Sequence, residues 1–438
     1  MRKNRKEGHL MWGMAAMLAG AMCLAACSEE ENLTGGNGTG ENGQGGQEME
    51  GIVIDTPAGG WKTPRCKVLK VVPTVTDGKE YDFRWMMGDS LVAAKKELEF
   101  IALATGKHTL TLWATERNNP EQKGKSEIEI EIEVVNEQKP YSPYVTSVPD
   151  FRPAPGQFVN ELPLYEEGDT QEDMNRKALK SIGNNARSLV SLGGFGGYIV
   201  CGFDHTIVNV PGEYDFKVLG NAFLSNGNPN PDAPATGGSM EPGIVMVAYD
   251  RNGNGKPDDD EWYELAGSEY HKDTTEKHYT ITYFRPDPDR EPAEAPQNEQ
   301  HWNLDAEYIE WNDSKNATGY IPKNKFHSQN YYPNWIEEDE LTFEGTCLPP
   351  NAVDESLEKD GSYWVLYGYD WGYADNYPNE DERAGMKIEW AVDKDGNQVH
   401  LPGIDFVKVY TGVNQCAGWL GETSTEVMGV NDLHLLKP

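Results

Sequence analysis

The segment Ser126–Val135, Ser-Glu-Ile-Glu-Ile-Glu-Ile-Glu-Val-Val, leaves the chain little choice of fold. Strict alternation puts every isoleucine on one face and every glutamate on the other only if the backbone is extended. A helix would mix the two sets around its axis. Four further stretches share this character: Cys66–Val75, Tyr81–Met86, Glu97–Ala102 and Gly106–Glu116. Together the five predict a small immunoglobulin-type β-sandwich over residues 51–137.

Pro140, Pro143, Pro149, Pro153 and Pro155 then mark residues 138–160 as an extended linker. Thr170-x-x-Asp173 predicts the start of one short helix, with Met174, Ala178 and Ile182 on its apolar face and Gly183 just past its end. Beyond the helix the pattern is strands and long polar loops: Tyr198–Phe203, Tyr214–Leu219, Gly243–Tyr249, Trp262–Leu265, His278–Phe284, Tyr363–Tyr367, Met386–Val392 and Ile404–Thr411. Asp395-Gly396-Asn397 supplies a hairpin turn between the last two. Strands that continue without intervening helices argue for a second, larger jelly-roll-like β-sandwich over residues 161–438, so the chain as a whole is mainly β.

Between two of these strands lies Asp250–Glu261, which reads D-x-N-x-N-G-x-x-D-x-x-E. Asp250, Asn252, Asn254, Asp258 and Glu261 offer side-chain oxygens and Lys256 its carbonyl, the donor set of a calcium loop. Gly255 stands where such a loop turns sharply. Flanking strands cannot swing apart as helices do, so calcium here is expected to be structural. The competing reading is a polar turn without metal.

At the other end of the chain, Arg2, Lys3, Arg5 and Lys6 precede an apolar run ending Leu24-Ala25-Ala26-Cys27. This predicts a lipoprotein signal peptide over residues 1–26, with Cys27 as the acylated residue. Residues 27–50, rich in Gly, Asn, Glu and Gln, read as a flexible tether, so the membrane is reached only through the lipid. A net charge of -34 repels nucleic acid, which is not expected as a partner. Beyond Cys23 and Cys27, the cysteines Cys66, Cys201, Cys347 and Cys416 are scattered without a C-x-x-C, leaving room for one long-range bridge among the last three.

No catalytic pattern stands out, and the chain is expected not to be an enzyme. Gly193-Gly194-Phe195-Gly196-Gly197 lacks dinucleotide spacing and reads as a tight turn. Asp204 and His205 are adjacent on a strand and should point to opposite faces, with the histidine satisfied by a loop carbonyl. Five of the twelve tryptophans fall in residues 302–377, much of it rich in Asn, Asp, Pro and Gly. Trp302, Tyr331, Tyr332, Trp335, Trp371, Tyr373 and Asn376 are the expected ligand contacts, flat apolar faces beside amides that suit a sugar or a large planar molecule.

Trp85 and Gly106-Lys-His-Thr-Leu-Thr-Leu-Trp-Ala-Thr resemble the PKD-like sandwiches of surface lipoproteins, and Ser28-Glu-Glu-Glu31 resembles the acidic export signal of Bacteroidetes surface lipoproteins. Leu192-Gly-Gly-Phe-Gly-Gly-Tyr-Ile-Val-Cys-Gly-Phe-Asp-His, Trp262-Tyr-Glu-Leu-Ala-Gly-Ser-Glu-Tyr, Trp371-Gly-Tyr-Ala-Asp-Asn and Ile404-Asp-Phe-Val-Lys-Val-Tyr-Thr resemble the same cell-surface family with PKD-like domains. Some members of that family bind corrinoids in cobalamin uptake. The resemblance implies an outer-membrane lipoprotein exposed at the cell surface that captures a corrinoid (vitamin B12) and passes it to a TonB-dependent transporter. Glycan binding, or a structural or adhesive role, are the alternatives. No D-x-H-x-x-G is present, so the resemblance implies contacts to the corrin rim rather than displacement of its base by histidine.

Overall fold

The structure is a computed structural model and describes residues 47–49, 51–118, 126–295 and 302–436. The signal peptide, Cys27 and most of the tether lie outside the described residues. The last tether residues do not: Gln47–Met49 is a strand paired antiparallel with Ile52–Ile54. The described residues belong to one compact unit.

In the first sandwich the five-stranded sheet runs Trp61–Pro64, Ser126–Val135, Gly106–Glu116, Tyr81–Met87, Ser90–Ala93. The alternating strand behaves as its pattern dictates. Ile128, Ile130, Ile132 and Val134 are buried, and the intervening glutamates are exposed. Ile130 stands opposite Leu110 and Ile128 opposite Leu112, so two aliphatic rows meet on one face. Trp85 closes this core, fully buried, its indole N–H donating to the Lys96 carbonyl at 3.2 Å.

The proline-rich stretch is no linker. Ser147–Arg152 is the outer strand of a six-stranded antiparallel sheet, followed by Tyr198–Val208, Gly403–Thr411, Gly243–Ala248, Trp262–Leu265 and Ala391–Val392. Val145, Phe151, Ala154 and Val159 are buried with it. Pro149 is tolerated because the strand is an edge and its register shifts between Ser147 and Asp150, where no ladder N–H is needed. The helix Gln171–Ile182 packs beside this strand. Its capping box joins Thr170 and Asp173, and it buries Met174, Ala178 and Ile182.

A second sheet, Thr318–Asn324, Asn303–Asp313, Glu276–Phe284, Glu340–Cys347, shares one hydrophobic core with the first. Phe195, in the glycine-rich turn, joins the two, edge-on to Tyr279 at 5.0 Å and to Tyr410 at 6.2 Å. Three strands here were not foreseen, because Asn303–Asp313, Thr318–Asn324 and Glu340–Cys347 carry too many polar residues on their outer face. Met386–Val392 is not one strand but two short pieces around the 3-10 turn Ile388–Trp390, pinned where Asp215 accepts the Ile388 N–H at 2.8 Å. The Asp395-Gly396-Asn397 turn therefore folds back onto Val392 rather than joining two long strands. Cys66, Cys201, Cys347 and Cys416 are all free thiols.

The two sandwiches touch. Thr206 N–H donates to the Cys66 carbonyl at 3.0 Å, and Lys70 Nζ donates to the Arg251 carbonyl at 2.7 Å.

Candidate functional site

Among the cavities of the described residues, one of about 460 Å³ brings exposed aromatic rings and buried carboxylates together. Its size lies in the range of small-molecule sites. Trp419 and Phe326 stand at its mouth, 39% and 59% exposed, with ring centroids 6.3 Å apart. Glu241, Glu422 and Glu426 line it, with Asn221 and Ser424.

Buried amides hold the mouth in place. Asn324 Nδ2 donates to the Trp419 carbonyl at 2.8 Å, while its Oδ1 accepts from the N–H groups of Phe326 (2.7 Å) and His327 (3.1 Å). Gln157 Nε2 donates to the Leu420 carbonyl at 2.7 Å, and Gln157 N–H to Glu422 Oε1 at 2.6 Å. Gly421 between them is left-handed (φ 92°), and a Cβ there would meet Gln157 Nε2 at 1.9 Å, so only glycine lets the loop close on its amide. Asn324, at the end of its strand, thus sets both rings, and Gln157, in a turn, sets the Trp419 loop and Glu422.

The floor is electrostatically unusual. Oxygens of Glu241, Asp375 and Glu426 lie within 4.8 Å of one another. Asp375, itself in the left-handed region (φ 50°), accepts the Ala222 N–H at 2.7 Å and the Glu426 N–H at 3.1 Å. Glu426 accepts from Ser191 Oγ at 3.2 Å and Asn221 Nδ2 at 3.3 Å. Burial first, and then the Glu426 charge, push Asp375 and Glu241 above the usual carboxylate range, and burial raises Glu426 as well. Burial also lifts Glu422 to about 7. Its Oε2 is buried without a hydrogen-bond partner.

None of these carboxylates was singled out from the sequence. They are spread from 241 to 426, and their one signal is the run Glu422-Thr-Ser-Thr-Glu426, five polar residues in a row that are all buried. The aromatic residues that were singled out are placed elsewhere. Trp302, Tyr331, Tyr332, Trp335, Tyr373 and Asn376 are at most 9% exposed and belong to the interior. Tyr332 donates to the Glu338 carbonyl at 2.8 Å under the Arg285 guanidinium, and Trp335 stacks on Phe151 and donates to Gln171 Oε1 at 3.2 Å. Tyr373 accepts the Glu269 N–H at 2.9 Å, and Asn376 spends its amide on both backbone groups of Tyr369, each at 2.8 Å. Trp371 alone is partly exposed, its ring tilted at 46° against Trp390 with centroids 4.6 Å apart. Rings on segments rich in turn residues were read as exposed, but those segments fold inward.

Asp250–Glu261 runs from the strand Gly243–Ala248 into Trp262–Leu265, with a short 3-10 turn, Asp259–Glu261, at its end. Asp250 accepts the N–H groups of Asn254 (3.0 Å) and Gly255 (2.7 Å), Asn252 that of Asn254 (2.9 Å), and Asn254 that of Lys256 (2.7 Å). These bonds turn the three side chains to the inside of the loop, where Asn252 and Asn254 reach Asp258 at 2.6 and 2.8 Å. Glu261, 2% exposed, accepts from Arg251 and Asp258 backbone N–H groups. Asp258 Oδ2 takes both of those amides, but each of the other accepting oxygens keeps a second lone pair, so the donor set fits a hard cation. The loop's own carboxylates do not converge as the cavity floor does.

Asp204 and His205 meet, against expectation, because the register of their strand breaks between Gly202 and Ile207 and alternation is lost there. His205 Nδ1 lies 2.9 Å from Asp204 and Nε2 2.8 Å from Asp432, and its ring stacks on Tyr141. Two carboxylates, not a loop carbonyl, satisfy it. Burial depresses its pKa, but the two carboxylates outweigh that and the net shift is upward. A raised histidine stabilises the fold fully below its unfolded value of about 6.5 and loses that contribution as pH rises through the folded value. Thermal melts should therefore decline across that window, with a slope of up to about 1.4 kcal/mol per pH unit. In His205→Gln that share of the slope should go, leaving the decline set by buried carboxylates such as Glu422.

No family model matches the chain, and no curated protein does. Among solved structures, SusE-like protein BT2857 aligns over 87% of this chain and 97% of its own, at 9% identity and a TM-score of 0.22. A quinonprotein alcohol dehydrogenase-like protein (BT1487) from Bacteroides thetaiotaomicron aligns over 60% and 47%, at 10% identity and a TM-score of 0.15. A structure of carbohydrate-binding modules from the β-sandwich superfamily aligns over 84% and 92%, at 10% identity and a TM-score of 0.13. Scores of this size carry no argument about this chain.

Proposed function

We propose that the protein is a surface lipoprotein that binds a glycan of one or a few sugar units in the Trp419–Glu422 cavity. The observation that carries this reading is the pairing of exposed Trp419 and Phe326 with three carboxylates in one cavity. Ring faces take the C–H side of a sugar, and carboxylates and Asn221 take its hydroxyls. The seven residues expected to contact either a sugar or a corrin are interior in six cases, so the glycan reading rests on the Trp419–Phe326 cavity itself. Capture ahead of a TonB-dependent transporter in the outer membrane completes the proposal, which takes its address from Cys27 and the sequence around it.

A glycan screen tests it. Hits should weaken at least tenfold (about 1.4 kcal/mol) in Trp419→Ala and stay within about twofold in Trp371→Ala. Hits lost in Trp371→Ala and kept in Trp419→Ala would place the ligand elsewhere. The reading is of binding without turnover, so incubated hits should release no new reducing ends.

Calcium in the Asp250–Glu261 loop is part of the same proposal, with a structural role. The loop lies against the first sandwich through Lys70, so an ion there would brace the junction as well as the hairpin.

A further inference from the structure

We infer that the floor of the cavity is a second divalent-cation site, built by Glu241, Asp375 and Glu426 and suited to calcium. It deepens the glycan reading by placing an ion beneath the same ligand, and it stands on geometry outside the Asp250–Glu261 loop.

The three carboxylates come from separate parts of the chain, yet their oxygens lie within 4.8 Å of one another. Calcium–oxygen distances of about 2.3–2.6 Å put opposite ligands about twice that far apart, so this is the spread an all-oxygen shell requires. Asp375 and Glu426 are 3% and 6% exposed, while Glu241 keeps an opening towards the cavity. Three carboxylates gathered out of water need a counter-charge. Among the described residues, what reaches their oxygens is neutral: the backbone N–H groups of Ala222, Ser424 and Glu426, the Ser191 hydroxyl and the Asn221 amide. Protons or a cation must supply the balance. With no nitrogen or sulfur donor in the group, the chemistry is that of a hard cation. Its irregular arrangement suits calcium better than magnesium, which demands a near-ideal octahedron.

A second observation points to a ligand at the same place. Glu422, 6% exposed, lines this cavity and has one oxygen bonded to Gln157 and the other bare. A buried acceptor without a partner is costly and is completed by something that brings donors or positive charge. An ion with its water, or with sugar hydroxyls in place of that water, does both.

The test is calcium calorimetry on the full-length protein carrying Asp250→Ala, which removes the loop's first ligand, without glycan. One equivalent should still bind. Adding Glu241→Gln should weaken it at least tenfold. Glu241 is part-exposed, and its neutral variant relieves repulsion, so this protein should melt no lower than its parent in chelator and should lose the calcium-induced rise in Tm. Asp375→Asn should weaken calcium in the same way. No heat in folded Asp250→Ala protein, or calcium binding unchanged by Glu241→Gln, would overturn the inference. Because no glycan is present, a failed glycan screen leaves this result standing. Conversely, failed calcium calorimetry beside a successful glycan screen removes the ion while sparing the glycan reading.

Discussion

Tyr331→Ala should destabilise the protein by about 3–5 kcal/mol, the cost of emptying a large buried aromatic site. The ring is fully buried and edge-on to Tyr308 at 5.4 Å. Its hydroxyl donates to the His327 carbonyl at 2.8 Å and accepts the Asn324 N–H at 3.2 Å. Removing it opens a cavity and also strands a buried donor beside the amide that holds Trp419 and Phe326. Tyr331→Phe keeps the ring and loses the two bonds, so it should cost about 1 kcal/mol in stability. Denaturant melts of the two variants separate the contributions. If Tyr331 were a ligand contact, the alanine variant would keep its stability and lose only binding.

Chelation should lower the stability of the whole unit by roughly 2.7 kcal/mol relative to calcium at a hundredfold excess over its dissociation constant. The ion would bind the folded loop and hardly at all to the unfolded chain, and mass action supplies the difference. Asp250→Ala should remove the loop's share of that response, since Asp250 both offers the first ligand and fixes the Asn254 and Gly255 amides. Lys256→Ala should change little, because its carbonyl survives the substitution. Two sandwiches without mutual contacts would leave residues 51–137 unaffected. Contacts of Lys70 with the Arg251 carbonyl and of Cys66 with Thr206 instead tie that sandwich to the loop's own sheet, so its unfolding should shift too. Identical melts with calcium and with chelator would mean the loop is a polar turn.

The parts of the fold that could be read in advance are those where one local rule decides the outcome. The Ile/Glu alternation fixes Ser126–Val135 without help from the rest of the chain, and Thr170 with Asp173 fixes the helix start. What misled the reading was composition standing in for position. Prolines 149 and 153 suggested a linker, yet an edge strand with a register shift accepts Pro149. Tyrosines and tryptophans among turn residues suggested an exposed face, yet buried amides and carbonyls take up their polar atoms and let them pack. The cavity stayed hidden for a different reason. Glu241, Asp375, Glu422 and Glu426 are joined by tertiary folding alone, and no spacing in the sequence relates them. In Asp250–Glu261, by contrast, the oxygen-bearing residues are contiguous, so their pattern is visible in the sequence.

The most direct test of the central claim is amide hydrogen exchange of the full-length protein with and without a saturating glycan from the screen. Binding in the cavity should slow exchange at Phe326, His327 and across 417–426, where backbone amides hold the mouth and floor. It should leave the Trp371 segment unchanged. Protection centred on residues 371–376, with 417–426 unaffected, would contradict the account.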